Sequence, residues 1–249
     1  MRTDRESTGN TTWISPTIGM LCWEKGKVPR GLEQLAELPG NVTNPSTFAF
    51  PIRYERIPGA NIDTIIKWPN MAILNSMIEA AQRMEQDGVK AITTSCGFNA
   101  LFQEELADSV SIPVFTSSLL LVPFVHRMLR KDQAIGVITA DKGSLKEAHL
   151  RSVGIDTSIP VCIAGLEETT AFSQILTNPY ASFDVQEFKG QLIRIVNDLL
   201  SEASNVGAIV LECTDLPPFS AAIREETGLP VFDIVTLINI IYDAIVYTF

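Results

Sequence analysis

The sequence repeats itself at an offset of 117 positions, which places Cys96 on Cys213. At this offset "VKAITTSCGFNALFQEELADSVSIPVF" (89–115) aligns without a gap on "VGAIVLECTDLPPFSAAIREETGLPVF" (206–232), and eight of the 27 pairs are identical. Average composition would supply about two identities by chance. The repeat therefore predicts two structurally equivalent halves within one chain.

Each half alternates short apolar runs with segments of helical spacing. The predicted strands are "TIGML", "STFAFPI", "VKAITTS" and "IPVF" in the first half, and "QAIGVIT", "PVCIAG", "AIVLE" and "LPVFD" in the second. These runs are continuously apolar, which is typical of parallel strands covered by helices on both faces. We predict an α/β fold of two pseudo-symmetric, doubly wound lobes with short parallel sheets and an active-site cleft between them.

The boundary between the lobes is predicted near residue 120, with an N-terminal lobe at 1–120 and a C-terminal lobe at 121–249. The last predicted helix, about 233–249, is very apolar but carries Asp233 and Asp243, which makes a membrane span unfavourable. We expect it to be buried, packing back on the first lobe or on a partner. It favours a homo-oligomer, although the sequence leaves the oligomeric state open.

Composition excludes several classes of partner and cofactor. The net charge is −10 and no Lys/Arg-rich run is present, so neither nucleic acid nor an anionic membrane is an expected partner. The chain has four cysteines, no CxxC pair and two histidines, which favours a reducing, cytoplasmic setting and argues against a structural zinc site. No Gly-rich dinucleotide motif is visible, and we predict no cofactor and no metal.

Cys96 and Cys213 each stand where a predicted strand ends and a helical pattern begins. Ligands of open parallel sheets bind beyond the carboxyl ends of the strands, so the two thiols are expected to flank one cleft. A helix N-terminus would lower the pKa of a thiol there. Gly97 would allow close backbone approach to a ligand, and the short polar side chains nearby are predicted to bind it: Asn99, Thr214 and Asp215.

Two opposed thiols form a two-base system for a carbon acid. One thiolate removes an α-proton from one face of the carbon and the opposite thiol returns a proton to the other face, which inverts the centre. Cys22 and Cys162 are interpreted as core residues, since free cysteine is usually a small buried hydrophobe. Arg53 follows the predicted second strand and is either a carboxylate ligand or a solvated loop residue.

The chain resembles the aspartate/glutamate racemase superfamily, which includes hydantoin racemases, maleate isomerases and arylmalonate decarboxylases. "ECTDLP" (212–217) is similar to the second cysteine motif of that family, and "SCGFN" (95–99) stands where the first is found. "IGVITADKGSL" (135–145) is similar to the strand and Thr-bearing loop that open the second half. The resemblance implies a cofactor-independent racemase or epimerase with catalytic Cys96 and Cys213, and a weaker substrate-binding role for Thr139.

Departures from the family pattern occur next to both cysteines. Gly97 and Phe98 replace the usual Asn-Thr, and Phe98 would make that side of the pocket more apolar if it points inward. Glu212 replaces the usual Gly before the second cysteine, and Asp215 stands where His or Glu is common. The expected substrate is a small carboxylate or a hydantoin-like ring.

Two other functions remain open from the sequence. One is a maleate-type cis–trans isomerase, in which a single cysteine adds covalently to a C=C bond. The other is a non-catalytic, two-lobed ligand-binding protein with inert cysteines. The sequence does not identify the substrate.

Overall fold

The computed structural model describes residues 17–182 and 184–246 of the 249-residue chain. Within these residues the chain forms two parallel four-stranded sheets, one in each half, with helices packed on them. In each sheet the first strand of the half lies between the second and the third, and the fourth lies at the edge beside the third. The two orders are equivalent, so the predicted two-lobed α/β fold is confirmed.

In the first lobe, the first strand of the chain lies inside the sheet and the second lies at its edge. Its strands are β1 (Ile18–Cys22), β2 (Ile52–Arg56), β3 (Ala91–Thr94) and β4 (Val114–Phe115). Its helices are α1 (Arg30–Ala36), α2 (Met71–Gln86) and α3 (Gln103–Asp108), followed by α4 (Leu121–Met128) at the connection to the second lobe.

The second lobe repeats this order. Its strands are β5 (Ala134–Thr139), β6 (Val161–Gly165), β7 (Val206–Leu211) and β8 (Val231–Phe232). Its helices are α5 (Glu147–Arg151), α6 (Thr170–Thr177), α7 (Val185–Glu202), α8 (Ser220–Thr227) and α9 (Ile234–Ile245). The helices α1 and α6 have no counterpart among the predicted elements.

The central strands are buried because both sheet faces are covered. Every residue of β1, β3, β5 and β7 is buried, whereas β2 at the edge is only half-buried. The long helices α2 and α7 begin at side-chain caps, where Asn70 and Asp184 accept hydrogen bonds from free backbone N–H groups of the first turn. The caps satisfy N–H groups of the first helical turn, and the apolar faces of the helices pack on the sheets.

Two details of the first lobe differ from the predicted elements. The second strand is Ile52–Arg56 and not "STFAFPI" at 46–52, because Asn44 caps a short 3₁₀ turn at Pro45–Thr47. The segment after Cys96 is a 3₁₀ turn, Gly97–Phe102, and the α-helix begins only at Gln103. Cys96 therefore precedes a tight turn rather than the first turn of an α-helix.

Helices at the ends of the two halves connect the lobes. Helix α4 packs against β5 and β7 of the second lobe. In the opposite direction, the ring of Tyr242 on α9 stacks on Phe50 of the first lobe, with 3.5 Å between ring centroids. Among the helices described here, none is both long and apolar enough to cross a membrane.

Candidate active site

The two cysteines of the repeat lie in the wall of a single cavity. Cys96 follows the carboxyl end of β3 and Cys213 follows that of β7, so equivalent strand ends of the two lobes face the same space. The cavity has a volume of about 390 Å³, which is suited to a small molecule. Both cysteines are buried, with exposed fractions of 7% and 6%.

Hydrogen bonds between the lobes hold the two strand ends together. The hydroxyl of Thr214 donates to the carbonyl of Ser95 at 2.6 Å, and the hydroxyl of Ser118 donates to the carbonyl of Leu211 at 2.6 Å. The first bond joins the residue after Cys213 to the residue before Cys96. The second joins Ser118 of the first lobe to the last residue of β7, the strand that leads to Cys213. The separation of the two thiols is therefore set by direct contacts and not by a flexible linker.

Six of the eight predicted site residues line the cavity: Cys96, Gly97, Phe98, Cys213, Thr214 and Asp215. The other two, Asn99 and Thr139, are buried outside the lining. The backbone N–H of Asn99 donates to the carbonyl of Cys96 at 3.1 Å, so Asn99 shapes the turn that carries the cysteine. The hydroxyl of Thr139 donates to the Glu212 carboxyl group at 2.7 Å.

Phe98 belongs both to the cavity wall and to the contact between lobes. It is 1% exposed, and its ring packs edge-to-face on His149 of the second lobe, with 5.6 Å between ring centroids. Phe98 is therefore both a lining residue of the cavity and a buried contact between the two lobes.

Gly97 is required by the close approach of the opposite lobe. A Cβ atom at this position would lie 2.2 Å from Oε1 of Glu212 and 2.3 Å from the carbonyl oxygen of Glu212. Real Cβ atoms do not make such contacts, so only glycine fits here. Gly97, which follows Cys96, is therefore in contact with Glu212, which precedes Cys213.

Two acids in the cavity wall are shielded from water, Glu212 completely and Asp215 in part. Burial raises the pKa of Glu212 to about 7, partly opposed by the hydrogen bond from Thr139 and by the nearby backbone N–H of Ala140. Burial also raises the pKa of Asp215 to about 6, opposed by a hydrogen bond from the Asn41 side-chain amide at 2.9 Å. Both groups therefore hold protons at a higher pH than ordinary carboxyl groups do.

Burial raises the pKa of both thiols well above its usual value. For Cys96 the next cause is the charge of Glu212, and for Cys213 it is the charge of Asp215, followed by that of Glu212. Backbone hydrogen bonds oppose the rise only in part. The expectation of a lowered thiol pKa is therefore wrong, because desolvation outweighs the dipole of a short 3₁₀ turn.

Basic and aromatic residues that were not predicted also line the cavity. They are Arg56 at the end of β2, and Trp23 and Lys25 after β1. Arg53, the sequence-based candidate, instead forms salt bridges with Asp87 at 2.6 Å and Glu55 at 3.3 Å. Arg56 could have been identified by its position at the carboxyl end of a strand. The second strand was predicted at 46–52 instead of Ile52–Arg56, so Arg56 did not stand at a predicted strand end.

The raised thiol pKa values predict slow alkylation of the two cysteines at neutral pH. At pH 7.5 we expect iodoacetamide to modify Cys96 and Cys213 at least about tenfold more slowly than the partly exposed Cys162, because thiolate is the reactive form. The rates should rise about tenfold per pH unit towards and beyond pH 9. Peptide mass spectrometry measures each site, and rapid labelling of either buried thiol at pH 7 would contradict this.

No group of three or more His, Cys, Asp or Glu side chains that could hold a metal ion is found in residues 17–182 and 184–246. The chemistry that the described residues can perform is acid–base and nucleophilic chemistry by thiols, assisted by buried carboxyl groups.

Comparison with known proteins gives two kinds of relative. The dimethylsulfoniopropionate lyase of Durusdinium sp. clade D is 31% identical over 204 residues, which is 79% of this chain and 66% of that protein. Dimethylsulfoniopropionate lyase 3 of Emiliania huxleyi is 32% identical over 210 residues, or 80% of this chain and 54% of that protein. The chain thus spans only about half to two thirds of the length of these curated relatives.

A solved structure with the same fold is the allantoin racemase from Klebsiella pneumoniae. It superposes with a TM-score of 0.58 at 13% sequence identity and covers 92% of this chain and 87% of its own. The sequence model described as Asp/Glu/Hydantoin racemase matches residues 60–238, which include both cysteines, two strands of the first sheet and all four strands of the second. The chain belongs to the Asp/Glu/hydantoin racemase family.

Proposed function

We propose that the chain is an enzyme that removes the α-proton of a small carboxylate with a cysteine thiolate, and that its substrate is dimethylsulfoniopropionate or a similar β-sulfonium carboxylate. The observation that carries the proposal is that Cys96 and Cys213 line one small cavity at equivalent strand ends. The substrate is suggested by the names of the curated relatives, which are 31% and 32% identical to the chain. The product pair would be dimethyl sulfide and acrylate.

The proposed reaction is a β-elimination. Because burial keeps the thiol protonated near neutral pH, the cysteine first gives its proton to solvent. The resulting thiolate takes the hydrogen from the carbon next to the carboxylate, and the electron pair of that C–H bond forms the C=C bond. The bond from the β-carbon to the sulfonium sulfur breaks, and its electrons leave with neutral dimethyl sulfide. The proton rests on the cysteine sulfur and then returns to solvent, so no redox partner is needed.

The charges of the cavity wall are compatible with a substrate that carries both signs. Arg56 and Lys25 supply positive charge for a carboxylate. Asp215 and the ring of Trp23 supply negative charge and a π face for a sulfonium cation. We propose that these two sets orient the substrate so that its α-carbon faces the thiols.

A second function, racemisation or epimerisation of a chiral carboxylate or hydantoin-like ring, is favoured by the presence of two thiols. Elimination needs one base, because the leaving group is neutral and acrylate has no stereocentre. Inversion needs a base on each face of the carbon. The equivalent positions of Cys96 and Cys213 in the two lobes support this second candidate.

Incubation with dimethylsulfoniopropionate tests the first function. We expect dimethyl sulfide in the headspace, measured by gas chromatography, and an equal amount of acrylate by proton NMR. A parallel panel of chiral acids and hydantoins in D₂O, read for exchange of the α-hydrogen, tests the second. Cys162→Ser, which changes a thiol outside the cavity, should behave as the wild type in both assays.

The outcomes separate the two candidates. Release of dimethyl sulfide with acrylate supports the lyase. Absence of dimethyl sulfide together with solvent deuterium at the α-carbon of a chiral acid supports the racemase. If neither reaction occurs, the proposal of carbon-acid chemistry is contradicted and a ligand-binding protein becomes the better interpretation.

A further inference from the structure

Glu212 is a buried acid that the cysteine mechanism leaves without a role. It is 0% exposed, yet it lines the same cavity as Cys96 and Cys213. The family pattern has glycine at this position, so the cysteine motif itself gives the carboxyl group no task. A carboxyl group is costly to bury unless its oxygens are paired.

The two oxygens of this carboxyl group have different surroundings. Oε2 accepts a hydrogen bond of 2.7 Å from the hydroxyl of Thr139. Oε1 is buried and has no hydrogen-bond partner among the described residues. Oε1 lies against Gly97, where even a Cβ atom would come within 2.2 Å of it, so it stands beside the residue that follows Cys96. If the group holds a proton, Oε1 is therefore the oxygen that carries it.

We propose that Glu212 acts as a neutral carboxylic acid whose Oε1–H donates a hydrogen bond to the carboxylate of the bound substrate. This inference deepens the proposed function and rests on it, because it assumes a carboxylate ligand next to the two thiols. In this proposal Glu212 is a further catalytic residue, because it contacts the substrate carboxylate, which is bonded to the reacting α-carbon.

The charges around the cavity favour the neutral form. A thiolate on Cys96 or Cys213, the substrate carboxylate and Asp215 would bring three negative charges into a largely buried space, where only Arg56 and Lys25 are positive. The remaining acids of the wall, Glu33 and Glu37, lie on or beside α1. An ionised Glu212 would add to this repulsion, whereas a neutral one removes it.

Burial supports the same conclusion. It raises the pKa of Glu212 to about 7, so the neutral form is present below pH 7 and is lost as the pH rises through that value. An approaching carboxylate anion disfavours the ionised form of Glu212 and raises its pKa further. Binding of a carboxylate above pH 7 should therefore draw a proton onto Glu212.

The hydrogen bond would strengthen as the reaction proceeds. When the α-proton leaves, negative charge moves from the carbon onto the carboxylate oxygens, and a hydrogen bond from Oε1–H of Glu212 would stabilise that charge. Glu212 keeps its own proton throughout, so no bond of its carboxyl group is made or broken. Removal of one such donor typically costs about 10²–10³-fold in rate.

The test measures proton uptake on binding of propionate, which has the carboxylate but no leaving group. Isothermal titration calorimetry at pH 8, in buffers of different ionisation enthalpy, should show uptake of close to one proton by the wild type. The Kd should weaken by up to about tenfold per pH unit above pH 7. Glu212→Gln keeps an N–H donor, and we expect it to bind propionate with no proton uptake and a Kd that does not change over this range.

Glu212→Met is the matched variant, since it is neutral and of similar length but has no donor. We expect it to bind propionate at least about tenfold more weakly than Glu212→Gln. Thermal unfolding of both variants checks that each is folded. Proton uptake that persists in Glu212→Gln would assign the proton to another group such as Asp215 and overturn the proposal. Equal affinity of the Met and Gln variants would overturn it too, as would failure of the wild type to bind propionate.

The readout is independent of the reaction. Proton uptake that depends on Glu212, in a protein that does not release dimethyl sulfide, would leave the carboxylate site standing and remove only the proposed lyase function. Release of dimethyl sulfide without Glu212-dependent proton uptake would support the lyase function and overturn the proposed role of Glu212.

Discussion

Replacing Cys96 or Cys213 with alanine is expected to lower α-proton exchange of a racemisable substrate by about 10²–10⁴-fold in each single variant, since inversion uses both thiols. For elimination from dimethylsulfoniopropionate the expected pattern differs. One variant should lose about 10²–10⁴-fold in kcat and the other no more than about tenfold, because a single base removes the α-proton. The two rates, measured by acrylate formation and by solvent deuterium incorporation, therefore also identify the function.

The serine variants and Cys162→Ser make the comparison sharper. A hydroxyl is a much weaker acid than a thiol, so serine at position 96 or 213 should restore little activity while preserving packing in the cavity wall. Cys162→Ser should leave the rates unchanged, since Cys162 is on β6 outside the cavity. Full activity in both alanine variants would contradict a role for the thiols as acid–base groups.

The internal repeat predicted the two lobes because one offset aligns the strands, the turns and the buried positions of both halves. Its eight identical pairs fall in residues 89–115 and 206–232, which contain β3, β4, β7 and β8, and the two sheets have the same strand order. The second strand was harder to predict. Ile52–Arg56 is a half-buried edge strand with three charged residues, so it lacks the continuous apolar run of a central strand.

The location of the two cysteines could be predicted because it depends on local sequence and a general rule for parallel sheets. Their acidity could not, since it depends on burial by the opposite lobe and on the charges of Glu212 and Asp215. The contact of Asn41 with Asp215 joins residues 174 positions apart. Nothing in the spacing of a single sequence records such a pair, and the same is true of the contact between Gly97 and Glu212.

Gly97→Ala is expected to impair both folding stability and activity. The new Cβ would lie 2.2 Å from Oε1 and 2.3 Å from the carbonyl oxygen of Glu212, so the backbone at one strand end must move. Overpacking of this kind costs about 1–3 kcal/mol, and a domain of this size loses about 2–4 °C in Tm per kcal/mol. Displacement of Cys96 relative to Cys213 by as little as about 1 Å should reduce kcat by about 10²-fold.

Gly190→Ala is the matched control for this substitution. Gly190 lies on the exposed side of α7, and a Cβ atom there would meet nothing within 4 Å. Alanine is the better helix residue, so this variant should be more stable by about 0.5–1 kcal/mol and keep its activity. Calorimetric unfolding and initial rates of both variants check the pair. A Gly97→Ala protein with wild-type Tm and kcat would show that the lobes can separate at no cost, and thus that the close contact between the two strand ends does not position the thiols.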